Sequence, residues 1–319
     1  MLRIKVARSA AEIDGLRSRW ELIERDQGTI FQTFRWNRLA AALFADREEP
    51  YFVLCEDDNG VAIVPAVVRQ ESRTISFAGE TLFDYRDYLA CGDPGALDQA
   101  WQQLTSVGLP FTLTAICRPE AAIWKQLPKT FYSRSPRLSS DQISADGFAH
   151  GHARAFSRLH KLERMGLEVR EYTGSDPIVR RIYELRSRQS GGGELFHDSR
   201  RVDFMAAVCA EEGSRCQVFA LQHGGTLAGA LITFRDREFR RFYTTYYDHN
   251  WARYSPGVSL LFEIARRSLL EGLSFDLMTG EQPYKLRIAQ SAHDLFQVTA
   301  TPQQIKEVST VLFAAEHAA

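Results

Sequence analysis

The sequence predicts an α/β chain in which one mixed-sheet module occurs twice. Each half contains a hairpin with a strong turn dipeptide, Asn59-Gly60 in the first and Gly224-Gly225 in the second. Each hairpin is followed by a third strand, then by a helix and a further short apolar strand. The 319 residues suffice for two domains of about 150 residues, each large enough for its own core. The repeat is too long for a solenoid and lies in pattern, not identity, so two copies of one domain are the economical reading.

In the first half, FQTFRWNRLAAALF (31–44) has an amphipathic helix pattern. YFVLCEDDNGVAIVPAVVRQ (51–70) is the hairpin, SRTISFAG (72–79) the third strand, and DYRDYLA (84–90) follows. A helix near 95–106, a strand at 111–116 and a short helix from Pro119 complete the module. The stretch between Pro128 and Ala153, rich in Ser, Pro, Gly and His, reads as the seam. The second half opens with ARAFSRLHKLERMG (153–166), a helix carrying Arg154, Arg158, Lys161 and Arg164. That basic surface suits an anionic acceptor, a nucleotide or tRNA, and suits an ordinary solvated face as well. A strand at 167–172 leads to a helix over 178–189, capped by Asp176-Pro177. The run Ser190-Gly191-Gly192-Gly193 is either a lid over a cleft or a passive connection. A third helix starts at Asp198-Ser199; CQVFALQHGGTLAGALITF (216–234) is the second hairpin, and REFRRFYTTYYDHNW (237–251) its third strand.

The stretch from Tyr254 to Lys285 says most about chemistry. Ser255 stands where an N-cap belongs, Pro256 suits the first helical position, and Gly272 the C-terminal stop. Val258, Leu261, Phe262, Ala265 and Leu269 recur at three- and four-residue spacing and predict one buried face. Gly257 permits close approach of a ligand to the backbone. The N–H groups of such a terminus, with the macrodipole, favour an anion. A capped helix with nothing bound satisfies the same signals. The short strand LSFDLMT (273–279) and a glycine-marked loop then lead to Tyr284-Lys285.

Composition excludes several classes. With 45% hydrophobic residues, 25% charged residues and a net charge of −1, no global field recruits nucleic acid or an anionic membrane. The N-terminus lacks the apolar core and cleavage site of a signal peptide, and no run approaches the ~18 apolar residues of a spanning helix. A cytoplasmic location is expected. Five scattered cysteines form no CxxC pair and read as buried small hydrophobes. His150 and His152 lack an acidic or cysteine partner at ligand spacing, so no metal is expected.

The segment YYDHNWARYSPGVSLLFEIARRSLLEGLSFDLMTGEQPYKLRIA resembles the C-terminal motif of the CelD-type, or cellulose-biosynthesis-type, acetyltransferases. These are a branch of the GNAT superfamily related to the Fem-type peptidoglycan aminoacyltransferases. The matching residues are Tyr247-Asp248, Ser255-Pro256-Gly257, Gly272, Phe275-Asp276, Gly280 and Tyr284-Lys285. Phe31, Thr33, Trp36, Pro65, Phe77, Gly79 and the DYRDYL segment look similar in the first half. The basic helix at 153–166 resembles the family's Arg/Lys-rich helix. The resemblance implies an α/β (α+β) tandem GNAT fold, two mixed-sheet modules packed together. An N-terminal module at 1–135 and a C-terminal module with the acyl-donor site at 136–319 are expected. In that fold the strands flanking the phosphate-binding helix splay apart, and the pantetheine arm of acyl-CoA lies in the gap. The implied reaction transfers an acyl group, acetyl in the first instance, from acyl-CoA to an amine. The implied acceptor is a sugar, glycan precursor or cell-envelope metabolite of polysaccharide biosynthesis. An aminoacyl-tRNA donor and a catalytically silent adaptor are the competing readings. The chain departs from the usual phosphate loop, Gln/Arg-x-x-Gly-x-Gly/Ala: Arg253 and Gly257 stand in approximately, and Pro256 removes one donor N–H.

On this resemblance Tyr246, Tyr247, Arg253, Ser255, Gly257, Val258 and Ser259 are expected to hold the acyl-CoA. A backbone N–H of the strand ending at Tyr246-Tyr247 is the expected oxyanion donor. Asp276 is the first candidate base, since a carboxylate at the end of a buried strand is costly unless used or paired. Pairing to the following loop or to Lys285 is the alternative. Asp248 and His249 are second candidates. Lys285 is expected to hold negative charge or an acceptor anion. Tyr284 is expected to protonate the leaving thiolate, or simply to pack. Asp84 and Tyr85, with Asp87 and Tyr88 nearby, occupy the comparable strand end of the first half. Asp84, Tyr85, Arg158 and Lys161 are the expected acceptor-binding residues.

Overall fold

A computed structural model describes residues 2–79, 81–118, 127–189, 191 and 193–314. The chain forms two compact units, one of Met1–Ser133 with Asp294–Ala319 and the other of Arg134–His293. The short helix expected from Pro119 and half of the Ser190–Gly193 run lie outside the described residues.

The first unit contains β1 (Arg3–Ala7), α1 (Ala10–Asp14), α2 (Arg17–Glu24), α3 (Phe34–Leu43), β2 (Glu48–Glu56), β3 (Gly60–Arg69), β4 (Thr74–Phe77), β5 (Leu89–Gly92), α4 (Gly95–Thr105) and β6 (Phe111–Ile116). Its sheet runs β1-β2-β3-β4-β6, with β5 also paired to β3. All pairs are antiparallel except β4 with β6. Helices cover both faces, which is why β2 and β3 read as nearly continuous apolar runs. Val53 and Val64 face Trp101 and Leu104, while Phe52, Leu54 and Val67 face Trp20, Ile13 and Phe34. The helix expected over 31–44 is divided. Thr29 and Gln32 form a capping box around a short 3₁₀ turn, Thr33 is extended, and α3 starts afresh at Phe34. Asn37 holds the break by donating to the carbonyls of Phe31 and Thr33.

The second unit contains β7 (Lys129–Leu138), α5 (Ala145–Gly151), α6 (Ala153–Arg164), β8 (Glu168–Thr173), α7 (Ile178–Arg186), α8 (Ser199–Glu212), β9 (Cys216–His223), β10 (Thr226–Asp236), β11 (Phe239–Tyr247), α9 (Pro256–Leu270), β12 (Ser274–Asp276) and α10 (Pro283–Leu286); β7 enters it at Arg134. The strand order is β7-β12-β11-β10-β9-β8, with only β11 and β12 parallel. The segment read as a seam therefore holds a strand and a helix. Its polar residues resemble a linker because Ser135 and Arg137 turn towards a buried carboxylate on β12, while Leu138 and Phe148 enter the core.

Helix α9 is the spine of this unit. Leu260, Leu261, Phe262, Ile264, Ala265 and Leu269 are buried with Phe219, Phe242 and Phe275. The buried face is wider than the predicted stripe because α6 covers a second flank. Arg240, on β11 and fully enclosed, ties the helix end to the sheet by donating to Ser268, Glu271 and Gln217. The Glu271 carboxylate neutralises that guanidinium, which would otherwise be costly to bury.

After β12 the chain returns to the first unit. β13 (Ser291–Ala300) pairs with β6 through Val298, Thr299 and Ala300, and α11 (Pro302–Ala314) places Ile305 and Val308 in the core beside Trp101. Among the described residues no helix is long and apolar enough to cross a membrane.

Candidate active site

The site begins where two parallel strands part. β11 and β12 pair only through residues 239–241 and 274–276. Beyond Asp276 the N–H groups of Leu277 and Gly280 donate to the carbonyls of Pro136 and Arg134, so the chain follows β7 away from β11. A gap opens beside residues 242–247. The Asp248 N–H donates to Ala228 on β10; with side alternation along a strand, Thr245 and Tyr247 turn their backbone groups the other way, into the gap. The Tyr247 carbonyl confirms this direction by accepting from Gln189 Nε2 at 2.6 Å.

Two glycines seat α9 against this strand end. A Cβ on Gly229 would lie 3.3 Å from Pro256 Cβ, and one on Gly257 would lie 3.1 Å from Thr245 Oγ1. The connection from β11 runs as a 3₁₀ turn, His249–Tyr254, started by the Asp248 carboxylate accepting the Asn250 N–H. Trp251 and Tyr254 anchor that turn on Leu159 and Leu162 of α6. Ser255 then adopts a left-handed conformation with φ 50° and ψ 54°, and its hydroxyl makes no capping bond. The expected side-chain cap is therefore absent. The first intrahelical bond is Ser259 N–H to the Ser255 carbonyl, so the N–H groups of Gly257 and Val258 have no intrahelical acceptor.

A cavity of 390 Å³ lies beside this first turn, lined by Val258, Ser259, Arg154, Arg158, Arg287 and His152 among others. The structure thus brings Arg158 to the same place as Val258 and Ser259. Lys161 and Arg253 are placed differently: both lie over the Tyr254 ring, at 5.4 and 4.6 Å from its centre.

The remaining candidates have defined settings. Tyr284, on α10, is largely enclosed; burial pushes its phenol up, with Arg186 partly offsetting. Arg186 donates to Gln189 and to the Gly191 carbonyl, which links α7 to the strand end. Burial, and then the Asp248 carboxylate, push the Tyr246 phenol up against the pull of Arg181 and Arg188. Tyr247 is 38% exposed and packs edge-on to His249.

Asp276 requires a correction. Its carboxylate has no exposed surface and accepts from Ser135 Oγ at 2.8 Å, from the Met278 N–H at 2.9 Å and from Arg241, with Arg137 3.6 Å away. Such an enclosed, neutralised carboxylate frames the gap and is unsuited to take a proton from a substrate. The carboxylate is paired, although with Arg241 and Arg137 and not with Lys285 or the loop from Gly280 to Tyr284. Lys285 is also enclosed. Its Nζ donates to the Thr279 carbonyl at 2.7 Å and to the Met278 carbonyl, and stands over the Phe242 ring. It clamps the loop that borders the gap.

Asp84 and Tyr85 belong to the first unit. Tyr85 is buried, packed edge-on against Phe31, with its carbonyl held by Gln32. Asp87 is also buried and accepts from the backbone of Tyr88 and Arg118. In this unit the place beside β6 is filled by the chain itself. Arg86 N–H donates to the Ala115 carbonyl, and its guanidinium to Thr114 Oγ1.

Residues 151–286 match the acetyltransferase (GNAT) domain family. The match spans less than half of the chain and lies within the second unit. The whole chain shares its fold with a tandem GNAT protein from the clavulanic acid biosynthesis pathway (TM-score 0.51, 11% identity, 95% of this chain and 99% of that one). It likewise matches FemX (TM-score 0.61, 7% identity, 92% and 98% covered). A third match is the C-terminal domain of a proposed lysylphosphatidylglycerol synthetase from Agrobacterium fabrum (TM-score 0.59, 12% identity, 97% and 96% covered). No curated protein matches the sequence. The fold is thus the tandem GNAT fold. Within the matched segment β11, α9 and β12 form the parting strands and intervening helix that the resemblance implied. Sequence reasoning missed Gln189, Arg186, Arg287 and His152 as members of this region. Gln189 precedes a glycine run that drew attention only as a connection, and Arg287 follows the Tyr284-Lys285 pair without any spacing signal of its own.

Proposed function

We propose that the protein transfers an acyl group, acetyl in the first instance, from acyl-CoA to an amine, with the donor held in the GNAT domain of the second unit. The observation that carries this reading is the gap beside residues 242–247, which ends at the first turn of α9. The unpaired edge of β11 offers amide groups to the amides of a pantetheine arm. The N–H groups of Gly257 and Val258 face an anion despite the missing donor at Pro256. The corresponding position in the first unit is occupied by Arg86 and its neighbours, which leaves one donor site among the described residues.

In this reading the Tyr247 N–H donates to the thioester oxygen as negative charge develops; losing one such donor typically costs about 3–4 kcal/mol. Asp248, half-exposed beside the strand end, takes the proton from the attacking ammonium. The amine then attacks the thioester carbonyl, the C–S bond breaks as Tyr284 protonates the leaving thiolate, and the second proton lost by the attacking nitrogen restores the Tyr284 phenol. Burial keeps that phenol protonated at neutral pH. Lys285 and Asp276 hold the frame, and Gln189 fixes the Tyr247 peptide. The acceptor is an amino sugar, glycan precursor or related envelope metabolite. The likeness to FemX and to the synthetase domain makes aminoacyl-tRNA the rival donor.

The test is release of free CoA thiol from acetyl-CoA over a panel of amino sugars and other amines. Wild type turns over acetyl-CoA with at least one amine, and Tyr284→Phe lowers kcat at least tenfold while remaining folded. Undiminished turnover by Tyr284→Phe removes that residue from the mechanism. Failure to bind acetyl-CoA at all, together with salt-sensitive binding of charged tRNA, refutes the donor assignment.

A further inference from the structure

The cavity between α6, the first turn of α9 and the residue that follows α10 is not required by the gap, yet it is built for an anion. Its 390 Å³ is within the usual range for ligand pockets. Arg154 and Arg158 approach from α6, one turn apart, and Arg287 lines the same cavity. None of the three forms an ion pair with a carboxylate among the described residues. The acidic groups nearby are already engaged: Glu263 holds Arg266 and Arg267. Arg287 is fixed in part by donating from Nε to the Pro283 carbonyl. The wall is shaped by His152, whose ring lies 4.7 Å from Phe148 and 5.0 Å from Phe262. Three guanidiniums around one cavity match a dianion, and Arg presents paired donors suited to phosphate.

The pocket also lies in register with the gap. Val258 and Ser259 line it, while the amides of Gly257 and Val258 lie at the end of the gap. A donor running down β11 meets the helix amides with its diphosphate and then reaches this cavity with whatever follows. We infer that the cavity is a phosphomonoester site, in which Arg154, Arg158 and Arg287 bind the terminal phosphate on the nucleotide end of the acyl donor. Such a group carries close to two negative charges at neutral pH. The basic face of α6 is thus divided in use: Arg158 and Arg154 serve the phosphate, while Lys161 packs on Tyr254. This inference rests on the donor reading given above.

Calorimetric titration of the full chain with CoA and with 3′-dephospho-CoA tests it. Wild type should bind dephospho-CoA at least tenfold more weakly than CoA. The double variant R154A/R158A should bind both compounds alike, at the wild-type affinity for dephospho-CoA. Arg164→Ala, on the same helix but outside the cavity, should keep the wild-type preference. Both arginines are exposed on α6, so the fold of the variant is checked simply by its circular dichroism and melting. Equal binding of CoA and dephospho-CoA by wild type overturns this inference and leaves the donor reading standing. So does a tenfold preference that survives in R154A/R158A. Binding of neither compound, with charged tRNA bound in their place and weakened by the double substitution, overturns the donor reading and this inference with it.

Discussion

The Asp276 carboxylate, without exposed surface, receives hydrogen bonds from Ser135, the Met278 N–H and Arg241. Replacing it with Asn takes the counter-charge from Arg137 and leaves the buried Arg241 guanidinium with Asp236 alone. Breaking such a pair from one side typically costs about 3–5 kcal/mol. Asp276→Asn should therefore lower the urea midpoint strongly, and a variant with wild-type stability would return Asp276 to the list of chemical residues. His152 gives a pH signature. Burial, and then Arg287, push its imidazole below the usual histidine range, so the unfolded chain binds the proton more readily than the folded one. Its contribution to stability is then present above the ordinary histidine pKa of about 6.5 and is lost as pH falls through the lower folded value. Wild type should lose more stability than His152→Gln between pH 7.5 and pH 5.5 in urea unfolding; equal losses would contradict this. The sequence pointed to Asp276, Lys285 and Tyr284 as residues with something to do. It did not reveal what each one does, because their partners are distant along the chain. Arg241 lies 35 residues from Asp276 and Ser135 lies 141 residues from it.

Among the elements, α9 was legible and the gap beside it was not. Pro256 at the start, Gly272 after the end and the apolar spacing all give the helix. Ser255 misled in detail, since its left-handed backbone turns the hydroxyl away from a capping position. The gap depends on Leu277 and Gly280 pairing with β7, and β7 lies in a segment whose serines and arginines disguise a strand. The fit of α9 against the strand end depends on Gly229, an unremarkable small residue within a hairpin strand. A branched side chain there would meet Pro256 and the Gly257 N–H within about 3.4 Å. We expect Gly229→Val to push the helix start from β10, reducing acetyl-CoA affinity at least tenfold with a smaller change in melting temperature. Unchanged affinity would show that the helix terminus does not meet the donor.

At the scale of the molecule, the repeated hairpins announced two modules, and each unit carries such a sheet. Little in the sequence signals that the chain returns. Residues 291–314 have no hairpin dipeptide and follow the most conspicuous motif, yet β13 and α11 complete the first unit's sheet and core. Val298, Ile305 and Val308 bury apolar side chains worth about 1.5–3 kcal/mol each against leaving them in water. A chain ending at His293 should therefore have a first unit that is cleaved rapidly by protease, and intact resistance would argue against that assignment. The two modules also differ in kind. In the first, the chain fills the space beside β6; in the second, the space beside β11 is where we propose that the donor binds. Amide hydrogen exchange with and without acetyl-CoA tests this difference most directly. Slowed exchange is expected at Thr245, Tyr247, Gly257 and Val258, with residues 75–116 unchanged. Protection confined to residues 75–116, or none in either unit, would contradict it.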